Sequence, residues 1–274
     1  YIQCRKLMGS SSGSLRASGG ASGWAGWGGG GGGIAVIYNV AAQAGSNPGV
    51  KFDTRGGMGG VYADRQWADF GTLYLSDGSF LSTVMTNAQF SYVRFHAPSF
   101  TNWNPASLLI GNYTVLDFGT GFHLNVTGTL RIDPYGQLGI REGSKLTVGG
   151  NIFMPQRGKL FIRAGSTNGL GRDCGTLVQV SGDISVGEES WLYTYADPTE
   201  DGGVLFRVRN FIVSQGGYLE ASGKGFGPTR GPGQGATYGG SGHGGRGGNS
   251  SWGNLGGPTY GRTNAPTLQG SGSA

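Results

Sequence analysis

The sequence is short of charge. Charged residues make up 13% of its 274 positions, about half the roughly 25% usual in soluble domains. So few charges make a poor surface for a free cytosolic monomer and suit close contact with other protein copies or with glycans. Acids are the scarcer sign, 15 against 20 basic residues. The positive balance therefore comes from missing acids, and no basic run is long enough to follow a phosphate backbone. Arg-Gly-Gly triplets occur at Arg55 and Arg246, one in each of two glycine-rich stretches, too few for an RNA-binding tail. No nucleic-acid partner is expected.

Cysteine is almost absent. Cys4 and Cys174 are too few for a disulfide framework, and no Cys/His spacing matches a zinc site. No apolar run reaches the roughly 18 residues of a membrane span, and no secretory leader is visible. The chain starts at Tyr1, so a processed or partial product is expected. Histidine is limited to His96, His123 and His243. With so few, no Ser/His/Asp arrangement can be proposed from spacing, and neither GxSxG nor HExxH occurs. The glycine runs do not lead into Gly-Lys-Ser/Thr and a helix, which excludes a phosphate loop. No cofactor and no metal are expected.

What is present is a ladder of short strands. From Phe122 the segments FHLNVTG, TLRIDPYG, QLGIREG, SKLTVGG, NIFMPQRG and KLFIRAG follow one another. Each carries an apolar–other–apolar triplet: Leu124/Val126, Leu130/Ile132, Leu138/Ile140, Leu146/Val148, Ile152/Met154 and Leu160/Ile162. Alternation of period two marks a strand with one buried face, and turn residues follow each triplet. Three steps of about 7 residues make a turn of about 22, the size of one coil of a three-faced parallel β-solenoid. The pattern resumes through TLVQVSG, DISVGEES, WLYTYADP, VLFRVRN and FIVSQGG. A β-sandwich needs wider spacing and hairpin signals, whereas Asn-Gly occurs once, at Asn168-Gly169. A propeller needs a repeat of about 40 residues, which is not found. SFLSTVMTNAQFSYV is a weak helix candidate. The expected organisation is a glycine-rich segment with a re-entry strand over 1–60, a β-solenoid over 61–221, and a glycine-rich segment over 222–274.

Glycine fills 59 positions, concentrated in these two flanks. GSLRASGG (13–20) and GYLEASGKG (217–225) align on Leu-x-Ala-Ser-Gly, with Leu15 and Leu219 in matching places. A strand runs straight into glycine in both, which suggests one unit of about 200 residues and the start of the next. A flexible linker is the alternative, but linkers do not interleave Trp24, Trp27, Tyr238, His243 and Trp252 among glycines. Without Cβ atoms, extended chains can approach and hydrogen-bond sideways along polyproline-II paths. The flanks are therefore expected to form a polyglycine-II-like packed layer with the aromatics as plugs, and Gly30 is expected in the close-packed path.

A strand ending LRASGG or LEASGKG, then Gly-Pro-Gly-x-Gly and His-Gly-Gly-Arg-Gly-Gly, with GGGGGGIAVIY re-entering the ladder, resembles the glycine-rich β-helix surface proteins of protists. That family includes secreted proteins and candidate components of flagellar hairs (mastigonemes) and surface fibrils. The resemblance implies an extracellular structural role and brings no catalytic residues.

Parallel β-helices also serve as pectate-lyase-like enzymes and glycosidases, which need paired carboxylates. Glu188 and Glu189 are adjacent and point to opposite faces; Asp133 and Glu142 lie in separate turns. Asp197, Glu200 and Asp201 form the densest acidic cluster, where calcium is conceivable but a solvated turn is the simpler reading. No enzyme is expected. Three sequons, at Asn112, Asn125 and Asn249, offer glycan anchors. Asn125 is expected to point outward between Leu124 and Val126. Cys4 and Cys174 are about eight coils apart, roughly 35–40 Å at the strand spacing of a sheet, so one disulfide can join them only if the N-terminal segment folds back along the rod. At least one of them is expected to link subunits.

The expected function is an extracellular structural protein that self-assembles into a fibril, flagellar hair or surface coat. Its partners are further copies of itself and attached glycans. The alternatives are a carbohydrate-binding or carbohydrate-cleaving β-helix, exposing Tyr135 and Trp191 along a groove, and the glycine-rich region of a receptor ectodomain.

Overall fold

A computed structural model describes residues 1–23, 26–60, 68–167, 174–200, 202–261 and 268–272. It is nearly all β. Among the described residues the only helix is the single turn Val40–Gln43, capped by the Asn39 side chain. The candidate helix at 79–93 is instead two short strands, Val84–Met85 and Phe90–Ser91. Phe80, Leu81, Val84, Met85 and Ala88 do recur at helical spacing, but burial of Phe80, Met85, Phe90 and Val93 in the core of the ladder overrides that local pattern. No helix of the described residues is long and apolar enough to cross a membrane.

Every strand pair is parallel, in sheets of nine, six, five and three strands. The chain visits them in rotation. Val115–Phe118 lies in the nine-stranded sheet, His123–Val126 in the five-stranded and Leu130–Ile132 in the six-stranded; Gln137–Ile140 then returns to the first. Parallel neighbours cannot be joined by tight hairpins, so the chain turns corners and comes back one strand higher. This is a β-helix-like parallel architecture. It begins early: Ile2–Cys4, Ser14–Arg16, Gly33–Tyr38 and Lys51–Asp53 already belong to the sheets, so residues 1–60 share the ladder with those after 61.

Alternation sets the inside. Leu124, Val126, Leu130, Ile132, Leu138, Ile140, Leu146, Val148, Ile152, Met154, Leu160 and Ile162 are all essentially inaccessible to solvent. Each such side chain contributes roughly 2 kcal/mol by leaving water. Like stacks on like: Leu116 pairs with Leu138, and Leu138 with Leu160, each step being 22 residues. From Leu160 to Leu192 the step is 32, because the corner after Arg163 carries a longer loop, and from Leu192 to Leu219 it is 27. In the first half the core is aromatic, with Phe52, Phe80 and Phe90 stacked in sequence and Phe118 on Phe122. Buried corner serines serve the backbone: Ser144 Oγ accepts from Phe122 N–H, and Ser190 Oγ from Gly158 N–H.

The glycine-rich flanks carry hydrogen bonds between chains that are distant in sequence. Gly29 N–H donates to Gly20 O at 2.9 Å, Gly57 N–H to Gly29 O at 2.7 Å, and Ser22 N–H to Met58 O at 2.9 Å. Three extended chains thus meet around one axis. Near the other end the same arrangement recurs: Gly240 N–H donates to Gly248 O, Gly247 N–H to Gly257 O, and Gly257 N–H to Gly240 O. A Cβ on Gly57 would sit 1.9 Å from Gly20 O, closer than any side chain allows. Gly30 differs from the expectation. A Cβ there meets nothing nearer than Asp69 O at 3.9 Å, while Gly31 beside it faces Thr54 O at 1.9 Å. Three of the named aromatics are not plugs, whereas His243 is half-buried, edge-on to Tyr260, with Nε2 2.9 Å from Leu268 O. Trp27, Tyr238 and Trp252 are well exposed, Tyr238 and Trp252 meeting edge to face at 4.7 Å. Trp24 lies outside the described residues.

Candidate functional site

The outer face of the nine-stranded sheet concentrates the unusual chemistry. Strand register places Arg94, Asp117, Gly139, Phe161, Tyr193 and Glu220 in one column across it. Alternation turns all of them outward, because their neighbours Leu116, Leu138, Leu160 and Leu192 turn in. Gly139 leaves a gap in the column. A Cβ there would lie 1.9 Å from Asp117 Oδ1, so the missing side chain is what lets the Asp117 carboxylate lie flat on the sheet.

Asp117 is buried and is held by Arg141, whose Nε donates to Oδ2 at 2.5 Å. Arg141 also reaches Asp69 at 3.3 Å, and Arg94 Nη2 donates to Asp69 Oδ2 at 2.8 Å. Two aspartates and two arginines thus form one network, Arg94 and Asp117 on strands and Asp69 and Arg141 just outside them. Burial pushes the Asp117 carboxyl up, with the charges of Arg141, Arg163 and Arg94 opposing. For Asp69 burial acts in the same sense, but Arg141 and Arg94 outweigh it and hold that carboxyl below its usual value. His96 lies beside them, its Cε1 2.7 Å from where a Gly119 Cβ would stand. Burial, then the charges of Arg94 and Arg141, hold the imidazole below its ordinary value of 6.5.

The His96 shift has a testable consequence. In the folded protein His96 stays neutral where the unfolded chain would already bind a proton. Between pH 6.5 and the lower folded value the unfolded state holds more protons, so stability falls as pH falls through that window. The melting temperature is expected to drop from pH 7 to pH 5. The drop should shrink in His96→Asn, which keeps a polar side chain, though a smaller one, without the titration. Equal drops in both proteins would show that His96 carries none of the effect.

Two grooves run over this face. One, of about 580 Å³, lies above Gly139 and Phe161 and is walled by Asp69, Tyr92, Arg141 and Arg163. The other, of about 470 Å³, is lined by Tyr135, Arg157, Lys159, Glu189, Trp191 and Tyr218. The anticipated pair Tyr135 and Trp191 therefore does share a groove, and Lys159 belongs to both grooves. The rings stack across the coils: Phe161 on Tyr193 at 4.8 Å, Trp191 on Tyr218 at 4.0 Å. Beyond Phe161 the aromatic stack stops at Gly139, over which the Asp117 carboxylate lies.

The other candidates lie apart. Asn112 and Asn249 are exposed and Asn125 half-exposed. Asn125 Nδ2 donates to Asn104 Oδ1, and Asn112 Nδ2 to Thr86 O. In the Asn112 sequon the Thr114 side chain is fully buried. Cys4 and Cys174 are free thiols, half-exposed and buried respectively. Cys4 lies on the first strand of the nine-stranded sheet, six strand steps from Lys159–Arg163 near Cys174; that is about 29 Å at 4.8 Å per strand. Asp197 closes a turn by accepting from Thr199 and Glu200 N–H, and Asp201 lies outside the described residues. Among the described residues no group of acids, histidines and cysteines is arranged to hold a metal. Asp133 pairs with Arg131, and Glu188 and Glu189 separate onto Gln156 and Arg157. His123 is exposed.

The Arg94–Asp117–Arg141–Asp69 network was missed because its members are isolated along the chain. The available signal was their outward parity at steps near one coil, Arg94 to Asp117 to Gly139.

A last feature is the end of the ladder. Phe211, Val213 and Leu219 pair with Ile184, Val186 and Leu192, which are fully buried. Yet they are themselves 36%, 46% and 49% exposed. The described part of the glycine-rich segment that follows leaves them exposed. Comparison with protein-family models, curated proteins and solved structures returns no match.

Proposed function

We propose that this is an extracellular structural protein that assembles end to end into a fibril, flagellar hair or surface coat. The observation that carries the reading is the uncovered last coil. Three core-facing residues and the unpaired edges of Val204–Arg207, Asn210–Val213 and Tyr218–Glu220 form an apolar, hydrogen-bonding cross-section. Such an edge recruits another strand. The occupant is a second copy, whose opposite end presents the edge strand Ile2–Cys4 of the same nine-stranded sheet. Since every strand is parallel, adding a copy continues the ladder in one sense, and a head-to-tail contact that does not close gives a filament.

The finer features fit this role. The middle coils, at 22 residues, form a solenoid rod, and the three-chain glycine clusters act as polyglycine-II-like ties that stiffen its ends. Sequons at Asn112, Asn125 and Asn249 would carry glycans on the outer surface. Cys4, on the edge strand, is the thiol placed to link copies; Cys174 is too enclosed to do so. Catalysis is not part of the reading, since Arg141 stands between the two carboxylates that approach each other.

Sedimentation and negative-stain microscopy of the native protein test this. Wild type is expected to sediment as a concentration-dependent series and to show thin filaments. Val213→Lys with Leu219→Lys should sediment as a monomer with an unchanged β spectrum, because two charges cannot be buried at the joint. A wild type that stays monomeric at every concentration, or a charged variant that still forms filaments, would sink the proposal.

A further inference from the structure

We propose that the outer face of the nine-stranded sheet binds an anionic oligosaccharide, a chain of uronic acid residues, along the two grooves that meet at Lys159. The assembly reading is not required for this. Strand Lys159–Arg163 turns Lys159, Phe161 and Arg163 outward together. Alternate residues on a strand stand about 7 Å apart, so a cation lies on each side of an aromatic ring. Phe161 lies half-buried in the lining of the first groove, with Tyr193 stacked on one face of its ring. A flat apolar ring face at the floor of a groove is the partner that the C–H face of a pyranose takes.

The cations are available. Among the described residues neither Lys159 nor Arg163 has a carboxylate within ion-pair distance. Arg163 lies over the Tyr195 ring at 4.4 Å, which fixes its plane and leaves its in-plane N–H groups to take a carboxylate in a two-pronged bond. Arg94, Arg141 and Arg157, by contrast, are engaged by Asp69, Asp117 and Glu189. The second groove continues the path past Lys159 to Trp191 and Tyr218, giving a further aromatic platform for the next sugars.

The same grooves hold acids, which decides the class of ligand. Asp69 and Glu142 line the first and Glu189 the second. Carboxylates accept hydrogen bonds from sugar hydroxyls. A DNA strand offers those acids few hydroxyls in return for the repulsion between them and its phosphates. A single-stranded nucleic acid would also use aromatics and cations, but not a groove edged with acid. A uronate chain has both hydroxyls for the acids and carboxylates for Lys159 and Arg163.

Calorimetric titration tests this with oligogalacturonate of four to six sugars, cello-oligosaccharide of equal length, and oligo-dT. Oligogalacturonate is expected to bind saturably and to weaken with added salt. The neutral oligosaccharide should bind at least tenfold more weakly. Phe161→Ala should reduce affinity about tenfold at every salt concentration. Lys159→Gln with Arg163→Gln should reduce it and also flatten the salt dependence. All three positions are surface side chains, and an unchanged β spectrum will certify the fold. The proposal is overturned if oligogalacturonate does not bind, if the neutral sugar binds equally well, if oligo-dT binds more tightly, or if the folded variants bind like wild type.

Discussion

Leu138→Asp is expected to abolish folding. Leu138 is fully buried and stacked between Leu116 and Leu160 in the nine-stranded sheet. An aspartate there would place a carboxylate among leucines with no partner, a cost of roughly 5 kcal/mol or more even after protonation. Total stabilities are only about 5–15 kcal/mol, and a coil that cannot close also exposes its neighbours on both sides. The variant should be recovered unfolded, without the β signal or a cooperative melt. Ile140→Asp, one inward position further along the same strand, should behave alike. Phe153→Asp is the control. Phe153 lies between Ile152 and Met154 but points outward and is 37% exposed. Its replacement loses the contact with Arg131 and should cost about 1 kcal/mol or less. A folded Leu138→Asp, or an unfolded Phe153→Asp, would mean that the inward and outward faces have been exchanged.

Gly57→Ala is expected to undo the N-terminal glycine cluster, whereas Gly30→Ala should change little. The alanine methyl at 57 would collide with the backbone of Gly20, O at 1.9 Å and C at 2.5 Å. Backbone on both sides has nowhere to rotate, so the chains must separate. Separation breaks the bonds from Gly57 N–H to Gly29 O and from Gly29 N–H to Gly20 O. At roughly 1–1.5 kcal/mol each, with the lost contact added, the cost is about 3 kcal/mol. At Gly30 only Asp69 O comes within 4 Å, at 3.9 Å, and a methyl there meets ordinary van der Waals distance. Amide hydrogen exchange gives the clearest reading. Protection at Gly29, Gly31 and Gly57 should be lost in Gly57→Ala and kept in Gly30→Ala. Equal protection in the two variants, or none in the wild type, would return these glycines to the status of a linker.

Alternation is a local property, and it was readable. Because successive side chains on a strand point to opposite faces, a triplet such as Leu138-Gly139-Ile140 declares its own inside without knowing its neighbours. The parallel all-β class followed from short strands at steps too close for hairpins. The outward placement of His123 followed from the same parity. Glycine-rich flanks after Leu15 and Leu219 could also be seen, since a run with no side chains leaves only backbone to pack.

What the residues next to one another could not decide was which distant residues meet. That depends on the register between coils, and the step is not constant: 22 residues from Leu138 to Leu160, 32 from Leu160 to Leu192, 27 from Leu192 to Leu219. Doubling a flexible loop adds only about 0.6 kcal/mol to its closure cost, so corner lengths vary readily and carry little signal. Hence Asp69 and Arg141, 72 positions apart, come together over Asp117 only once the coils are stacked. The same holds for glycine. Gly30 and Gly31 are indistinguishable by composition, and one is open while the other is blocked, because which side of an extended chain faces a neighbour is set by the hydrogen bonds that neighbour makes. The exposed core of the last coil was equally hidden. Phe211, Val213 and Leu219 have the parity of buried residues, and only the stacking of whole coils determined that they stay exposed.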